Sequence, residues 1–439
     1  MRRSAWLTGA GGYDMRRILL AFISLTLVAS LAGCTAPSAS ADELRSEKPR
    51  EASPSVPAAD IRDLVDGNNA FAFDLYHQMI DGSENLFYSP YSISIALGMT
   101  YAGARGETGT QMAQVMHYDL PHEVLHPAFN YVDQALNSRG EGAQGKDGEG
   151  FRLNVVNAIW GQKDHSFLQE YLETLAMNYG AGLRVLDFQN AAEESRLTIN
   201  GWVEDKTEER IKDLIPEGGV NSMTRLVLTN AVYFNAAWAS QFEDGMTSPG
   251  DFHLLDGGSV QVPMMRQTDG FRYAEMAGLK AVELPYDGYE LSMVLLVPDE
   301  GAFVDFEDSL DSTVVDDAIG AMQSTEVALT MPKFKLESSL NLNKALVKLG
   351  MTDAFSPGVA DFSGMDGTKD LFIADVIHKS FVEVDEAGTE AAAATAVVME
   401  ATSAPMQPVE MRVDRSFIFL IRDIETGTVL FVGRVMDPS

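Results

Sequence analysis

The segment from Glu386 to Met399 (EAGTEAAAATAVVM) constrains the fold of this chain more than any other stretch. It follows the strand-like alternation of residues 381–385 (FVEVD), and after Glu386 it contains no proline and a single charged residue. Alanine is the best helix former, so composition alone favours a helix. The β-branched residues within 395–398 (TAVV) favour a strand instead. The segment is therefore compatible with a helix, an exposed loop or a strand inserted into a sheet.

Read with a period of two, this segment has one face that is small or apolar throughout and a second face with carboxylates at its ends. The first face consists of Thr389, Ala391, Ala393, Thr395, Val397 and Met399, and the second of Glu390, Ala392, Ala394, Ala396, Val398 and Glu400. A strand added to a sheet gains backbone hydrogen bonds along its whole length. With about 1 kcal/mol net from each of roughly a dozen bonds, insertion would release on the order of 10 kcal/mol, enough to drive a conformational spring.

The charge of the chain argues against nucleic acid as a partner. Among 439 residues, 64 are acidic and 32 are basic, a formal net charge of −32, so phosphate groups would be repelled. The simplest interpretation of this acidity is a solvated surface. The length alone suggests two or three domains, and the apolar fraction of 46% is ample for a large core.

The N-terminus has the pattern of a targeting segment. From Met15 onward, a positive start precedes an almost wholly apolar run at 18–31, which is shorter than the roughly 20 residues that span a bilayer. Residues 31–34 (LAGC) resemble the lipobox of bacterial lipoproteins, in which the cysteine is lipidated after signal cleavage. We therefore expect a signal peptide over residues 1–33, with Met15 as an alternative start, and a lipid anchor on Cys34.

This assignment predicts an exported protein. We expect it to be lipid-anchored to the membrane at the cell envelope, on the periplasmic or cell-surface face, or to be extracellular. Residues 34–59 begin with the lipidated cysteine, are rich in Ala, Ser, Pro and charge, and are predicted to form a flexible tether. Cys34 is the only cysteine, so its lipidation would leave the folded body without a disulfide, a thiol nucleophile or a thiolate metal ligand.

The body, residues 60–439, alternates helical and strand patterns without a clear domain break. Helices are predicted at 69–80, 92–101 and 199–215. Strands are predicted at 226–234, 291–297, 326–331, 417–421 and 429–432. The first of these strands is a continuous apolar run with Asn230 at its centre, which indicates burial on both faces. The pattern predicts an α+β domain built on large sheets, with an exposed Gly-rich loop at 137–150.

We assign no catalytic site and no metal site in the body. Residues 122–126 (HEVLH) have the HExxH spacing, but no carboxylate-supported zinc site is evident, so we interpret His117, His122 and His126 as surface or capping histidines and expect no metal site and no cofactor. The glycines at 103, 106 and 109 lack the preceding strand and the GxGxxG spacing of a dinucleotide site. Neither a GxSxG elbow nor an SxxK motif occurs. A hydrolase with another signature stays open as an alternative, but nothing argues for one.

Five segments together resemble the serpin family of protease inhibitors. They are NLFYSPYSISIAL at 85–97, LTNAVYFNAAW at 228–238, MPKFKLESSLNLNKALVKLGMTDAF at 331–355, EAGTEAAAATAVV from 386 and MRVDRSFIFLI at 411–421. They agree with the family in order and spacing, and the resemblance covers about residues 60–438. It overrides the expectation of several domains. One departure is Ser416, where proline is usual in the family.

The resemblance implies a single domain at 60–439 with the serpin fold, an α+β architecture of three β-sheets and eight to nine helices with an exposed reactive-centre loop at about 386–410. It implies a monomer that is not an enzyme but an irreversible suicide-substrate inhibitor of serine endopeptidases. The target protease attacks the loop, forms an acyl-enzyme and is deformed when the cut loop inserts into the central sheet. A non-inhibitory serpin that acts as a surface binding or structural protein is the alternative.

The resemblance also implies residue roles. The reactive bond falls between Thr402 and Ser403, with Ala401 or Met399 as alternatives. The hinge of the loop comprises Glu386, Gly388, Thr389, Glu390, Ala391, Ala392, Ala393 and Ala394. A polar shutter beneath the central sheet comprises Ser89, Ser92, Asn230 and His378, and a breach at the top of the sheet comprises Trp238. The predicted bond and its alternatives offer the uncharged side chains of Thr402, Ala401 or Met399 to the primary pocket, which suits elastase-like or subtilisin-like targets, because the pocket carboxylate of a trypsin-like protease would find no Arg or Lys partner.

Overall fold

The computed structural model describes residues 41–141, 143, 152–389 and 407–439. The predicted signal peptide, Cys34, hinge residues 390–394 and the predicted reactive bond with its alternatives lie outside these ranges. Within them, none of the helices is both long enough and apolar enough to cross a membrane.

Ten α-helical segments occur in the described ranges. They are α1 (Ala58–Met79), α2 (Pro90–Tyr101), α3 (Gly106–Val115), α4 (His122–Asn137), α5 (Gln169–Tyr179), α6 (Phe188–Lys206), α7 (Phe303–Asp308), α8 (Ser312–Ala321), α9 (Asn343–Leu349) and α10 (Ser363–Asp366). Two of them, α7 and α10, have only six and four residues, which leaves eight longer helices. The predicted buried helix at 92–101 is α2, which begins after the N-cap Ser89 and is buried on all sides.

Within the described ranges, seven strands form the first sheet, called the central sheet below. They are β1 (Asp42–Leu44), β3 (Arg152–Gln162), β4 (Leu183–Leu186), β5 (Leu226–Ala237), β11 (Phe334–Asn341), β12 (Ile373–Asp385) and β13 (Gly388–Thr389). Their spatial order is β1-β4-β3-β5-β13-β12-β11, and β5 also pairs directly with β12. Residues far apart in the sequence therefore meet at the middle of this sheet.

Nine strands of the part of the chain that the structure describes form the second hydrogen-bonded sheet. They are β2 (Leu86–Tyr88), β6 (Ser248–His253), β7 (Ser259–Met276), β8 (Leu279–Pro285), β9 (Leu291–Pro298), β10 (Gln323–Pro332), β14 (Val409–Arg412), β15 (Phe417–Asp423) and β16 (Val429–Val435). The long strand β7 pairs with β6 and β10 along most of its length and with β8 at its end. It thereby divides the sheet into two strand groups. With the central sheet these make three groups, which confirms the α+β architecture that the resemblance implied.

The middle of the central sheet, at β5, is buried on both faces. Its inner face packs on the main core, which includes strands of the second sheet, and its outer face packs on a smaller cluster that includes Ile199 of α6 and Val227 of β5. A strand in such a position must be apolar on both sides, which explains why the predicted strand at 226–234 is an unbroken apolar run.

The predicted helix at 199–215 is wrong over its second half. α6 ends at Lys206, and the hydroxyl of Thr207 then accepts the backbone N–H of Ile211. Glu208 and Glu209 follow with φ of 52° and 61°, a left-handed conformation that cannot continue an α-helix. The apolar residues up to 215 are nevertheless buried, so the pattern found a buried face but assigned it the wrong local structure.

Part of the segment predicted to be a flexible tether is packed on the body instead. β1 lies antiparallel to β4 at the edge of the central sheet, and residues 45–51 continue across α5 to α4. Backbone pairing and ion pairs hold these residues, and composition does not reveal either. Residues 34–40 of the predicted tether lie outside the described ranges.

Candidate functional site at the seam of the central sheet

The two middle strands of the central sheet form a parallel pair that opens at one end. β5 and β12 pair from Leu226 and Ile373 as far as Tyr233 and Phe381. Beyond these residues β13 lies between them, antiparallel to both. We call the line between β5 and β12 the seam. A strand antiparallel to both neighbours can extend along the seam by adding backbone hydrogen bonds on each side.

Gly388 occupies a position in β13 that only glycine fits. It pairs with Ala237 on one side and with Asp385 on the other. A Cβ atom at this position would lie 2.7 Å from the Cα of Ala237 and still closer to the carbonyl oxygen of Ala236. The absence of a side chain therefore lets the hinge backbone approach β5 closely enough to pair with it.

Thr389 points into the core between the two sheets. Its side chain is completely buried, and its hydroxyl lies 2.9 Å from the hydroxyl of Tyr286. Tyr286 is itself buried and stacks on Trp238 with the ring centroids 4.7 Å apart. This contact fixes which residues of a longer strand would face inward, because residues two apart in a strand share a face.

Trp238, predicted to lie at the breach, is found at the open end of the seam. Its indole N–H donates to the carbonyl oxygen of Asp385 at 3.0 Å, and its backbone N–H donates to the carbonyl oxygen of Ala387 at 2.9 Å. The backbone N–H of Ala387 in turn donates to the carboxylate of Asp385 at 2.8 Å. Trp238 thus supports the turn that leads from β12 into β13.

Glu386 is held by two side chains that the sequence analysis missed. Nζ of Lys333 donates to Oε2 of Glu386 at 2.6 Å, and the hydroxyl of Thr247 donates to Oε1 at 2.7 Å. Burial would raise the pKa of Glu386, but the bonds from Lys333 and Thr247 outweigh it and lower the pKa. Burial likewise opposes the charge of Lys333, whose pKa the bond to Glu386 raises. Lys333 lies in the segment 331–355, one of the five that resemble the serpin family, so the sequence had marked the region in which this partner of Glu386 lies.

The four residues predicted as a shutter lie in one buried network beneath the seam. His378 on β12 is in register with Asn230 on β5, and its Nδ1 bonds the side-chain oxygen of Asn230. The backbone N–H of Ser89 donates to Nε2 of His378 at 3.2 Å. The hydroxyl of Ser89 accepts a hydrogen bond from the backbone N–H of Ser92. The hydroxyl of Ser92 accepts a hydrogen bond from the side-chain amide of Asn230. The network therefore joins the two strands of the seam to the start of α2.

The network requires a neutral His378. Because Nε2 accepts the N–H of Ser89, the ring proton resides on Nδ1 and is donated to Asn230. Burial lowers the pKa of His378 to about 3, so the ring is neutral at physiological pH. Since His378 and Asn230 lie on opposite sides of the seam, separation of β5 and β12 would break the bond between them.

Asn157, which the sequence analysis missed, completes this network. It lies on β3 in register with Asn230. Its side-chain oxygen accepts the hydroxyl of Ser92 at 3.0 Å and the amide of Asn230, and its own amide donates to the carbonyl oxygen of Ser92 at 3.1 Å. Three adjacent strands thus each contribute one polar side chain to a single row. Asn157 could have been found from the sequence, because it is a polar residue within the otherwise apolar run 155–160 (VVNAIW).

The three histidines that were interpreted as surface or capping residues have different environments. His117 is paired with Asp74 at 2.7 Å. His122 and His126 are adjacent, with Nδ1 and Nε2 3.2 Å apart, and His126 also bonds the hydroxyl of Tyr179 at 2.7 Å. His126 is buried, which corrects its interpretation as a surface residue, and burial lowers its pKa to about 3. No three metal-ligating side chains cluster in the part of the chain that the structure describes.

Comparisons with known proteins point to one family. A family model described as Serpin (serine protease inhibitor) matches residues 66–438. An uncharacterized serpin-like protein of Thermococcus kodakarensis is 42% identical over 379 residues, which cover 86% of each chain. The leukocyte elastase inhibitor of Homo sapiens is 39% identical over 392 residues, which cover 85% of this chain and 99% of that protein. The crystal structure of a thermophilic serpin, tengpin, in the native state matches with a TM-score of 0.78 at 29% identity, covering 91% of this chain and 100% of that chain.

Proposed function

Because this chain belongs to the serpin family, we propose that it is an irreversible suicide-substrate inhibitor of serine endopeptidases. The target protease would attack the loop that follows Thr389 and form an acyl-enzyme, and the cut loop would then enter the seam as a new strand. The catalytic groups belong to the target. The inhibitor acts as a monomer, and the target protease is its partner.

The position of β13 in the seam is the observation that carries this proposal. β13 is antiparallel to β5 and to β12, so a longer strand in the same register would replace one parallel pair by two antiparallel pairs. Extending that register from Thr389 would bring Thr395 opposite both Asn230 and His378. Asn230 and His378 already face each other across the seam, so the loop can enter without any shift of register between β5 and β12.

The side chains that would enter the seam suit the core that they would meet. Thr389 faces the core, and every second residue after it would share that face. The inward residues would be Ala391, Ala393, Thr395, Val397 and Met399. All are small or uncharged, so insertion would bury no charge while it adds roughly a dozen backbone hydrogen bonds, worth on the order of 10 kcal/mol.

Elastase-like or subtilisin-like serine proteases are the proposed targets, with Thr402–Ser403 as the reactive bond and Ala401 or Met399 as alternative positions. The uncharged side chains of Thr402, Ala401 and Met399 fit the primary pockets of these proteases. The relative from Homo sapiens named leukocyte elastase inhibitor, at 39% identity, supports the same class of target.

Covalent trapping is the direct test of this function. The protein is mixed with pancreatic elastase or with subtilisin, and the products are separated on denaturing gels, where a band at the summed mass is expected. Protease whose catalytic serine has been blocked is the control and should give no such band. Mass spectrometry of the released C-terminal peptide identifies the reactive bond. A clipped chain without a complex, for both proteases, would contradict inhibition and favour a non-inhibitory surface binding or structural protein.

The N-terminal pattern supports a separate proposal about location. We propose that the protein is exported and held at the cell envelope by a lipid on Cys34, because residues 31–34 match a lipobox. Cys34→Ala should move the protein from the membrane fraction to the soluble fraction. An unchanged distribution of the variant between the two fractions would contradict the anchor.

A further inference from the structure

Two histidines in the first turns of α4 bring ring nitrogens close together. The sequence HEVLH at 122–126 places His122 and His126 four residues apart in the helix, so their side chains share one face. Nδ1 of His122 lies 3.2 Å from Nε2 of His126. An ion at about 2.0–2.1 Å from each nitrogen, the usual distance from zinc to imidazole, would make an angle of roughly 100° with them, close to tetrahedral. The pair therefore has the spacing of two ligands of one ion.

His126 is held in the orientation that a metal ligand needs. It is buried, and its Nδ1 lies 2.7 Å from the hydroxyl of Tyr179 on α5. A histidine that binds a metal usually donates its other ring N–H to a fixed acceptor, which sets the tautomer and leaves the lone pair on the ligating nitrogen. The hydroxyl of Tyr179 can accept this N–H, and Nε2 of His126 then presents its lone pair toward His122.

His122 forms the accessible side of the pair. It is partly exposed, and its ring stacks on Tyr101 of α2 with the ring centroids 4.2 Å apart, which fixes the plane of the imidazole. Burial lowers the pKa of His122 and of His126, so both rings are neutral at physiological pH. A neutral imidazole can bind a metal ion without first losing a proton.

The surroundings of the pair limit its affinity and its choice of metal. The charge of Arg105 opposes a cation beside both rings, whereas the charge of Glu123 favours one beside His122. No third His, Cys, Asp or Glu side chain joins the pair in the part of the chain that the structure describes, so water would fill the other positions of the ion. Such a site suits the metals that imidazole binds most strongly, and among divalent first-row ions the affinity is highest for copper.

We propose that His122 and His126 bind one divalent transition-metal ion, copper or zinc, and that Tyr179 orients His126 for this role. The sequence alone led us to expect no metal site, and the distance between the two nitrogens is the observation that changes this. The HExxH spacing does not make the site a metalloprotease centre, because the third protein ligand of a catalytic zinc has no counterpart among the described residues. The bound ion would stabilise the first turns of α4 and raise the melting temperature of the fold.

The test uses the full chain without an affinity tag, first treated with EDTA and then freed of it. Calorimetric titration with Cu²⁺ and with Zn²⁺ should show saturable binding of one ion per chain, with Cu²⁺ bound more tightly. The electron paramagnetic resonance spectrum of the Cu²⁺ complex should show two nitrogen ligands. His122→Gln should weaken binding at least about tenfold. The matched control is His117→Gln, which removes a histidine that is paired with Asp74 instead, and it should leave the affinity unchanged.

Absence of saturable binding would overturn the proposal. Equal weakening by His117→Gln would overturn it too, because the ions would then bind histidines of the surface in general. His122 is partly exposed, so its replacement should leave the melting temperature of the metal-free protein unchanged. Tyr179→Phe keeps the ring and removes the hydroxyl, and it should lower the affinity for Cu²⁺ by roughly tenfold to a hundredfold with both nitrogen ligands retained. An unchanged affinity in Tyr179→Phe would overturn the role of Tyr179.

Discussion

The hydroxyl of Thr389 lies 2.9 Å from the hydroxyl of Tyr286, inside the core between the two sheets. The first inward-facing side chain of the hinge is therefore already removed from water while β5 and β12 are still paired along most of the seam. Further insertion would extend a pairing that Gly388 and Thr389 have begun, with each second residue entering the same core.

Replacing Thr389 by arginine should convert the inhibitor into a substrate. The position is completely buried, so an arginine there must leave the seam or bury an unpaired charge, at a cost of several kcal/mol. Insertion would then be slower than deacylation, and the protease would escape. We expect the ratio of inhibitor to elastase needed for complete inhibition to rise by at least about tenfold.

The next residue provides the matched control for this substitution. Glu390→Arg adds the same side chain on the opposite, outward face of the proposed strand, where it stays in water. It should trap elastase nearly as well as wild type. Equal trapping by Thr389→Arg would contradict insertion in this register.

The ion pair between Glu386 and Lys333 should make the stability of the fold depend on pH both in acid and in base. The fold lowers the pKa of Glu386 below its value of about 4.5 in the unfolded chain. The carboxylate therefore stabilises the fold fully above pH 4.5, and this stabilisation is lost as the pH falls through the pKa that Glu386 has in the fold. The fold raises the pKa of Lys333 above its value of about 10.5 in the unfolded chain. The ammonium group therefore stabilises the fold fully below pH 10.5, and this stabilisation is lost as the pH rises through the pKa that Lys333 has in the fold. Because Lys333 is about one-third exposed, we expect only about 1 kcal/mol.

Urea unfolding of wild type and Glu386→Gln over a range of pH checks this expectation. The difference in the free energy of unfolding should be largest between about pH 5 and pH 10 and should shrink below the folded pKa of Glu386. Lys333→Met should lose a similar amount in the same window. A difference for Glu386→Gln that is as large at pH 3 as at pH 7 would show that the carboxylate charge is not responsible.

Burial of His378 should couple unfolding to proton uptake in mild acid. Its pKa is about 3 in the fold against 6.5 in the unfolded chain, so the unfolded chain binds one more proton below pH 6.5. Stability therefore falls as the pH falls from 6.5 toward 3, by up to about 1.4 kcal/mol per pH unit. In His378→Gln, the slope of the unfolding free energy against pH between about pH 5 and pH 6 should be smaller by about 1.4 kcal/mol per pH unit, which corresponds to one proton. An unchanged slope would mean that His378 is charged in the fold.

Local sequence pattern predicted β5 and the strand-like end of β12, but it did not predict the partners of the hinge. The apolar run at 226–234 and the alternation at 381–385 are properties of contiguous residues. Lys333, Thr247 and Tyr286 reach the hinge from 53, 139 and 103 residues away along the chain. Contacts at such separations depend on which strands become neighbours, and the spacing of residues within one segment does not encode that.

The segment predicted to be a flexible tether shows a second limit of composition. Few apolar residues and many Pro, Ser and charged residues predict disorder, because such a segment buries too little apolar surface to offset the entropy of ordering. Residues 41–51 are held instead by a three-residue ladder with β4 and by bonds such as that from Arg50 to Asp133. These contacts exist only because the end of α5, the start of β4 and the exposed side of α4 are adjacent in the fold.

Ser416, which stands where proline is usual in the family, should be a position where a substitution stabilises the native form. It is buried just before β15, and within the described ranges its hydroxyl has no hydrogen-bond partner. A buried unpaired hydroxyl costs about 1–3 kcal/mol, so Ser416→Ala should raise the free energy of unfolding by about 1 kcal/mol in urea titrations. Ser292→Ala is the control, because the buried hydroxyl of Ser292 donates to Glu283 at 2.7 Å and its removal should destabilise the fold. Loss of stability in both variants would mean that the hydroxyl of Ser416 is bonded, for example to a buried water molecule, and that its burial carries no penalty.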